Sequence, residues 1–164
     1  MSKKPLFLKF LNQEVTELEM LSSFSQSRDP YTVKAAVELM SNPPDLKEFY
    51  NEFKDAVSDI IQEGFDDKFI AFVDHYMKPT LEDEAKTQRV ERGTNVSLSV
   101  KVKDKSGPWI QGLICYNLSL YIKVFGLGAL KKCRICSKFF DHKGKYAVYC
   151  SDACKARKNE VKKT

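Results

Sequence analysis

Four cysteines close to the C-terminus are the residues of this chain best suited to chemistry. Cys133 and Cys136 stand as CxxC and Cys150 and Cys154 as CxxxC, with thirteen residues between the pairs. Each pair offers two thiols from one tight turn, which is metal-ligand spacing. Four thiolates fill a tetrahedral zinc shell and leave no open position, so the implied site is structural rather than catalytic. Two disulfides, or four unrelated thiols, are the rival readings. Nothing else in the chain points to an oxidising compartment, which favours the metal.

The local sequence sharpens that reading. The first pair lies in LKKCRICSKFF, a turn resembling a zinc knuckle and followed by basic and aromatic residues. Tyr146, Val148 and Cys150 alternate with other residues, which predicts a short strand. CSDACKARKNEVKK reads as a helix start, with Ser151 or Asp152 as its cap. One pair on a hairpin turn and one at a helix N-terminus is the layout of a treble-clef finger. The thiolates then sit near the positive end of a helix dipole, which favours their charged form. His142, in the loop between the pairs, is an alternative ligand, although four cysteines already complete the shell.

With these motifs the chain resembles the bacterial CGNR-type zinc-finger proteins. LKKCRICSKFFD, a basic loop, YCSDACKARKNEVKK and an apolar helix just upstream carry the resemblance. It implies a mostly helical domain ahead of a C-terminal finger, in a family presumed to contain transcriptional regulators. It places the metal ligands at Cys133, Cys136, Cys150 and Cys154, and an aromatic–aspartate feature at Phe139, Phe140 and Asp141. The family signature falls on Cys154, Lys155, Ala156 and Arg157. The cysteine and the arginine match it, and its glycine and asparagine are replaced. The similarity is strong from Leu130 onward and is organisational upstream.

Charge is placed unevenly. The segment from Lys131 to Thr164 holds eleven basic and three acidic residues, a net of +8, and the rest of the chain is −3, which recovers the +5 of the whole. A basic module on a mildly acidic body suits a polyanionic partner, most simply nucleic acid. A solvated basic tail that aids solubility is the plainer alternative. The composition, 43% hydrophobic and 30% charged, is that of a soluble globular chain. The basic start followed by apolar residues is not expected to be a signal peptide, because Lys9 interrupts the apolar run and no small-residue cleavage site follows. The apolar stretch from Trp109 to Leu130 contains Gln111, Asn117, Ser119 and Lys123, so a buried helix is expected rather than a membrane span. These features point to the cytoplasm.

The elements that must position the cysteines are mostly helical. Leu8, Leu11, Val15, Leu18 and Leu21 recur at helical spacing. Asp29 and Pro30 start a second segment, with Val33, Ala36, Val37 and Met40 as its buried stripe. A longer helix from Asp45 buries Leu46, Phe49, Tyr50, Phe53, Val57, Ile60 and Ile61 and ends at Gly64. Another spans about 66–78, with Phe69, Val73, Tyr76 and Met77 inward, and Pro79 stops it. From 81 to 91 the chain is charged and its structure ambiguous. Val96, Leu98, Val100 and Val102 alternate with polar residues, which predicts a half-buried strand paired with 87–92. A helix opened by Ser106, Gly107 and Pro108 is apolar on both faces and reads as the central buried one. Cys115 sits within it as a small hydrophobe. His75 lies on a helix without a metal or nucleophile partner.

The expected architecture is therefore mainly α with a small β-hairpin. Residues 1–130 form a helical body with a hairpin near 87–103, and residues 131–164 form a four-cysteine, treble-clef-like zinc finger with a basic C-terminal helix. The short connection leads us to expect body and finger to pack together. The expected function is nucleic-acid binding in a bacterial transcriptional regulator, with DNA favoured over RNA. Lys155, Arg157, Lys158, Lys162 and Lys163 would contact phosphates from the last helix, and Lys143 and Lys145 would clamp from the loop. Arg157 would either reach a base edge or pack against the body. The alternative is a protein-interaction adaptor shaped by zinc, and a protein partner or homodimer stays open. Catalysis is not expected. There is no glycine-rich phosphate loop, no glutamate beside a histidine ligand, and Glu82, Asp83 and Glu84 read as a solvated face.

Overall fold

In the computed structural model the backbone is described over 4–90, 93–142 and 147–161, and side chains over 4–81, 102–142 and 147–158. The chain runs through helices α1 (Leu6–Leu11), α2 (Glu17–Phe24), α3 (Pro30–Leu39), α4 (Lys47–Glu63) and α5 (Asp67–Thr80), then strands β1 (Leu81–Val90) and β2 (Gly93–Val102). It continues through α6 (Trp109–Phe125), β3 (Leu130–Lys132), β4 (Phe139–Asp141) and α7 (Asp152–Val161). The architecture is mainly α with small antiparallel β-hairpins, as the sequence predicts.

Local chemistry explains most helix boundaries. The run from Leu8 to Leu21 is two helices rather than one. Thr16 and Glu19 form a capping box, with the Glu19 N–H donating to Thr16 Oγ1 at 3.2 Å and the Thr16 N–H to Glu19 Oε2 at 2.7 Å. Gln13 turns the chain ahead of it with φ +54°, and Leu18, expected inside, is exposed. Asp29 caps α3 by accepting from the Thr32 N–H at 2.8 Å. The buried face of α3 is Thr32, Ala35 and Ala36, while Val37 points outward. Small alanines let α3 lie close to α2 and β2, and this packing outweighs the side-chain size that favoured Val37. Gly64 ends α4 with φ +88°, a conformation in which a Cβ would be strained. Asp66 caps α5. Pro79 does not stop α5 but lies in its last turn, and the helix ends at Thr80.

One hydrophobic core joins these helices. α4 contributes Phe49, Phe53, Val57 and Ile60, and α6 contributes Trp109, Ile110, Ile114, Cys115, Leu118 and Tyr121. Phe10, Phe49, Phe53, Phe72 and Tyr76 form a ring cluster in which the closest centroids, those of Phe49 and Tyr76, are 4.9 Å apart. α5 and α6 cross at Gly112. A Cβ built there would lie 2.9 Å from the Tyr76 carbonyl oxygen and 2.7 Å from Thr80 Oγ1. α6 is buried for most of its length, but Leu120, Val124 and Phe125 near its end are exposed, so the expectation of burial on all sides fails there.

The larger hairpin is longer than expected on its first strand. β1 pairs with β2 from Leu81 opposite Val102 to Val90 opposite Gly93. The charged 81–91 stretch therefore supplies a strand as far as Val90, because the ladder is made by backbone groups and tolerates charged residue types. The second hairpin pairs β3 with β4, Leu130 opposite Asp141 and Lys132 opposite Phe139, so the expected division at 130/131 falls within β3. The strand expected at 146–150 is not formed at 147–149, and Tyr146 lies outside the described residues.

Candidate metal centre

The β3–β4 hairpin carries the first cysteine pair. Cys133 follows β3, and its N–H donates to the Lys138 carbonyl at 2.8 Å. The Ser137 N–H returns to the Cys133 carbonyl at 3.0 Å, and Ser137 takes φ +59° to close the turn. This is the knuckle that the CxxC spacing predicts. It folds two thiols to one side of a tight loop.

The second pair enters on α7. Ser151 is its cap, as the sequence proposes: its Oγ accepts from the Cys154 N–H at 3.3 Å. Cys150 therefore lies just ahead of the helix and Cys154 in its first turn. The Arg134 N–H donates to the Val148 carbonyl at 3.2 Å, which draws the incoming segment against the knuckle. All four Sγ atoms then lie within 4.8 Å of one another. The Cys136–Cys150 and Cys150–Cys154 sulfur separations are 3.4 and 3.6 Å. A tetrahedral metal with thiolate bonds of about 2.3 Å requires sulfurs about 3.8 Å apart, so the donor set fits one ion. The cysteines are free, and the observed separations exceed a disulfide bond of about 2.05 Å. The group that could hold a metal contains the four cysteines and not His142.

Two thiols of this cluster are shifted in opposite directions. Burial pushes the Cys133 thiol up, but the backbone N–H groups of Cys136, Cys150 and Ile135, with the Cys136 side chain, outweigh it and bring Cys133 down to about 6. Burial, and hydrogen bonds that the Cys150 thiol donates to the sulfurs of Cys136, Cys154 and Cys133, act in the opposite sense on Cys150, which is pushed up to about 12. Cys115 lies away from the group in α6. Burial pushes its thiol up to about 12, in keeping with a core residue.

A small second core surrounds the four cysteines. Cys133, Cys154 and Phe140 are buried together, with Ile135, Ala147 and Tyr149 packed against them. Phe139 belongs instead to the core of the helical body. Adjacent residues of a strand point to opposite faces, so β4 pins the body with one ring and the cysteine cluster with the next. Asn12 reinforces the joint. Its Nδ2 donates to the Phe139 carbonyl and its Oδ1 accepts from the Phe139 N–H, both at 2.8 Å. Body and finger pack together, as their short connection predicts.

The predicted basic contacts are only partly gathered. Lys155, Arg157 and Lys158 stand exposed on α7, with the Lys158 ammonium 5.8 Å from the Tyr149 ring centroid. Arg157 is solvent-facing rather than packed on the body. Lys143, Lys145, Lys162 and Lys163 lie outside the described residues. Lys132 and Arg134, which the sequence does not single out, flank Cys133 directly. Lys132 Nζ reaches Ser58 Oγ at 3.3 Å and lies 5.4 Å from the Phe139 ring centroid. No helix among the described residues is long and apolar enough to cross a membrane. Comparison with protein-family models and with curated proteins finds no match to this chain.

Proposed function

We propose that this chain is a zinc-finger protein that binds nucleic acid, DNA before RNA, as a bacterial transcriptional regulator of the cytoplasm. The observation that carries this reading is the start of α7 at the four-sulfur group, with Lys155, Arg157 and Lys158 exposed beyond it. Zinc is the ion proposed, because four thiolates in tetrahedral reach suit its preference for sulfur and need no redox partner. Bound there, zinc would fix the first turn of α7 and hold its cations in a set direction. The group would be structural, since four thiolates leave no coordination position for a substrate, and the proposal includes no enzymatic activity.

Zinc analysis and a salt titration test the proposal together. The purified protein should carry one zinc and shift duplex DNA at low salt, with binding that weakens steeply as salt rises. Failure to bind duplex or single-stranded nucleic acid, with zinc in place, would remove the regulator reading. The second reading, a zinc-shaped adaptor for another protein, draws support from the exposed Leu120 and Val124 on α6. Such an adaptor would hold its partner with little dependence on salt.

A further inference from the structure

Two clefts meet at one ridge beside the metal centre. The first, of about 410 Å³, opens between α4 and β3, with Ser58 and Gln62 on one wall and Lys131, Lys132 and Arg134 on the other. No carboxylate lines it. The second, of about 450 Å³, lies against the start of α7 and carries Lys155 and His142, with Asp152 as its one carboxylate. Ala147 and Val148 line both clefts, so the two are neighbours across that segment.

The placement of cations is selective. Arg134 is exposed and has no ion-pair or hydrogen-bond partner for its guanidinium among the described residues, although Asp55, Asp59 and Glu63 stand exposed on the nearby helix α4. Lys132 is held in place by Ser58 and by the face of Phe139. One side of the ridge thus offers a fixed ammonium and an uncommitted guanidinium, and the other offers Lys155. An isolated small anion would occupy one cleft. A polyanion with regularly spaced phosphates can cross the ridge and engage both.

We infer that the nucleic-acid backbone runs over the Ala147–Val148 ridge from α7 into the α4–β3 cleft, where Lys132 and Arg134 contact its phosphates. The inference rests on the nucleic-acid reading of the finger and extends it to the body, because α4 forms one wall of the track. Guanidinium and ammonium groups in such a groove recognise the phosphate chain rather than base sequence. The contacts would position the duplex and leave sequence readout to other residues. They would also fix the angle between the duplex and the helical body.

The test is fluorescence anisotropy of the full chain, zinc loaded, on a labelled DNA duplex across a salt series. Arg134→Ala should weaken binding about three- to tenfold and reduce the salt slope by about 0.9, one phosphate contact. Lys132→Ala should act in the same direction. Because Lys132 also packs on Phe139, Arg134→Ala is the deciding variant, and its melting temperature and zinc content should equal those of wild type. Lys123→Ala, at an exposed position near the end of α6, should leave affinity and slope unchanged. If Arg134→Ala binds like wild type while Lys155→Glu with Lys158→Glu abolishes binding, the track is overturned and the finger reading stands. If wild type binds no nucleic acid, both fail together.

Discussion

Asn12 and Phe139, at opposite ends of the chain, pair as two strands would. The Asn12 amide both donates to and accepts from the Phe139 backbone, at 2.8 Å in each direction. A single side chain thus satisfies both backbone groups of Phe139 in β4, a three-residue strand. The relationship matters because β4 carries the hairpin that presents Cys133 and Cys136. The end of α1 is thereby coupled to the geometry of the metal centre.

Asn12→Ala should lower stability by about 1–3 kcal/mol, since it leaves two backbone groups of Phe139 without their partner. Urea unfolding of the zinc-loaded protein measures this. Zinc stoichiometry should stay at one, because no ligand is touched. Asn12→Asp should also destabilise, as it keeps the acceptor and loses the donor. An unchanged midpoint in both variants would mean that the Phe139 edge is satisfied in another way.

The metal group gives the second prediction. Serine at Cys133, Cys136, Cys150 or Cys154 should lower zinc content and loosen the 131–164 segment, because metal binding and local folding are coupled. Cys115→Ser should leave zinc content unchanged, as Cys115 is buried in α6 away from the group. Atomic absorption on each variant decides the assignment. One zinc per chain retained after the loss of two of the four cysteines would exclude it.

Proton linkage at the same group has a definite sign. Cys150, pushed up to about 12, holds its proton at neutral pH in the metal-free protein and must lose it to bind zinc. Cys133, brought down to about 6, is already a thiolate at neutral pH and takes up a proton only as pH falls through that value. Zinc affinity should therefore rise with pH through neutrality and fall more steeply below about 6. In the metal-free protein, the depressed Cys133 value also contributes stability that is present above the ordinary thiol range and lost as pH falls towards 6. Calorimetry of zinc binding in buffers of different ionisation enthalpy reads the proton count. Binding at pH 7 with no proton release would contradict the protonated state of Cys150.

The four-cysteine cluster is legible in the sequence because the spacing within each pair is a local property. Cys133, Cys136 and the Ser151 cap each depend on neighbours within a few residues. Helix starts at Asp29 and Asp66 were legible for the same reason. What stayed hidden depends on distant partners. Asn12 is an ordinary polar residue until β4 reaches it, and Arg134 reads as a loop cation until α4 forms the opposing wall. Val37 and Leu18 have core-like side chains, yet packing between helices turned other faces inward. The 81–90 strand was obscured because backbone pairing, rather than residue type, determines it.

Phe139 and Phe140 allow the two cores to be tested separately. Both rings are buried, but Phe139 belongs to the body core and Phe140 to the small core around the cysteines. Each alanine substitution should cost about 3–5 kcal/mol locally, through lost burial and a cavity. Phe139→Ala should lower the unfolding midpoint of the helical body with zinc still bound. Phe140→Ala should instead weaken zinc retention against a chelator while the far-ultraviolet helical signal persists. Equal effects of both variants on both readouts would mean that the two cores unfold as one unit.

Gly112 supplies the final prediction. α5 and α6 approach so closely there that a Cβ would meet the Tyr76 carbonyl oxygen at 2.9 Å, and a backbone atom cannot swing aside as a side chain can. In an open helix, alanine in place of glycine would stabilise by about 1 kcal/mol. Gly112→Ala should instead destabilise, by about 1–3 kcal/mol, because the helices must separate to admit the methyl group. Gly128→Ala is the control, since nothing lies within 4 Å of the Cβ position there. Leu118→Ala, in the same helix and fully buried, should cost about 2–5 kcal/mol by the opposite mechanism, an unfilled cavity. Thermal unfolding of the three variants separates these effects. A Gly112→Ala protein as stable as wild type would show that α5 and α6 are less closely apposed at this crossing.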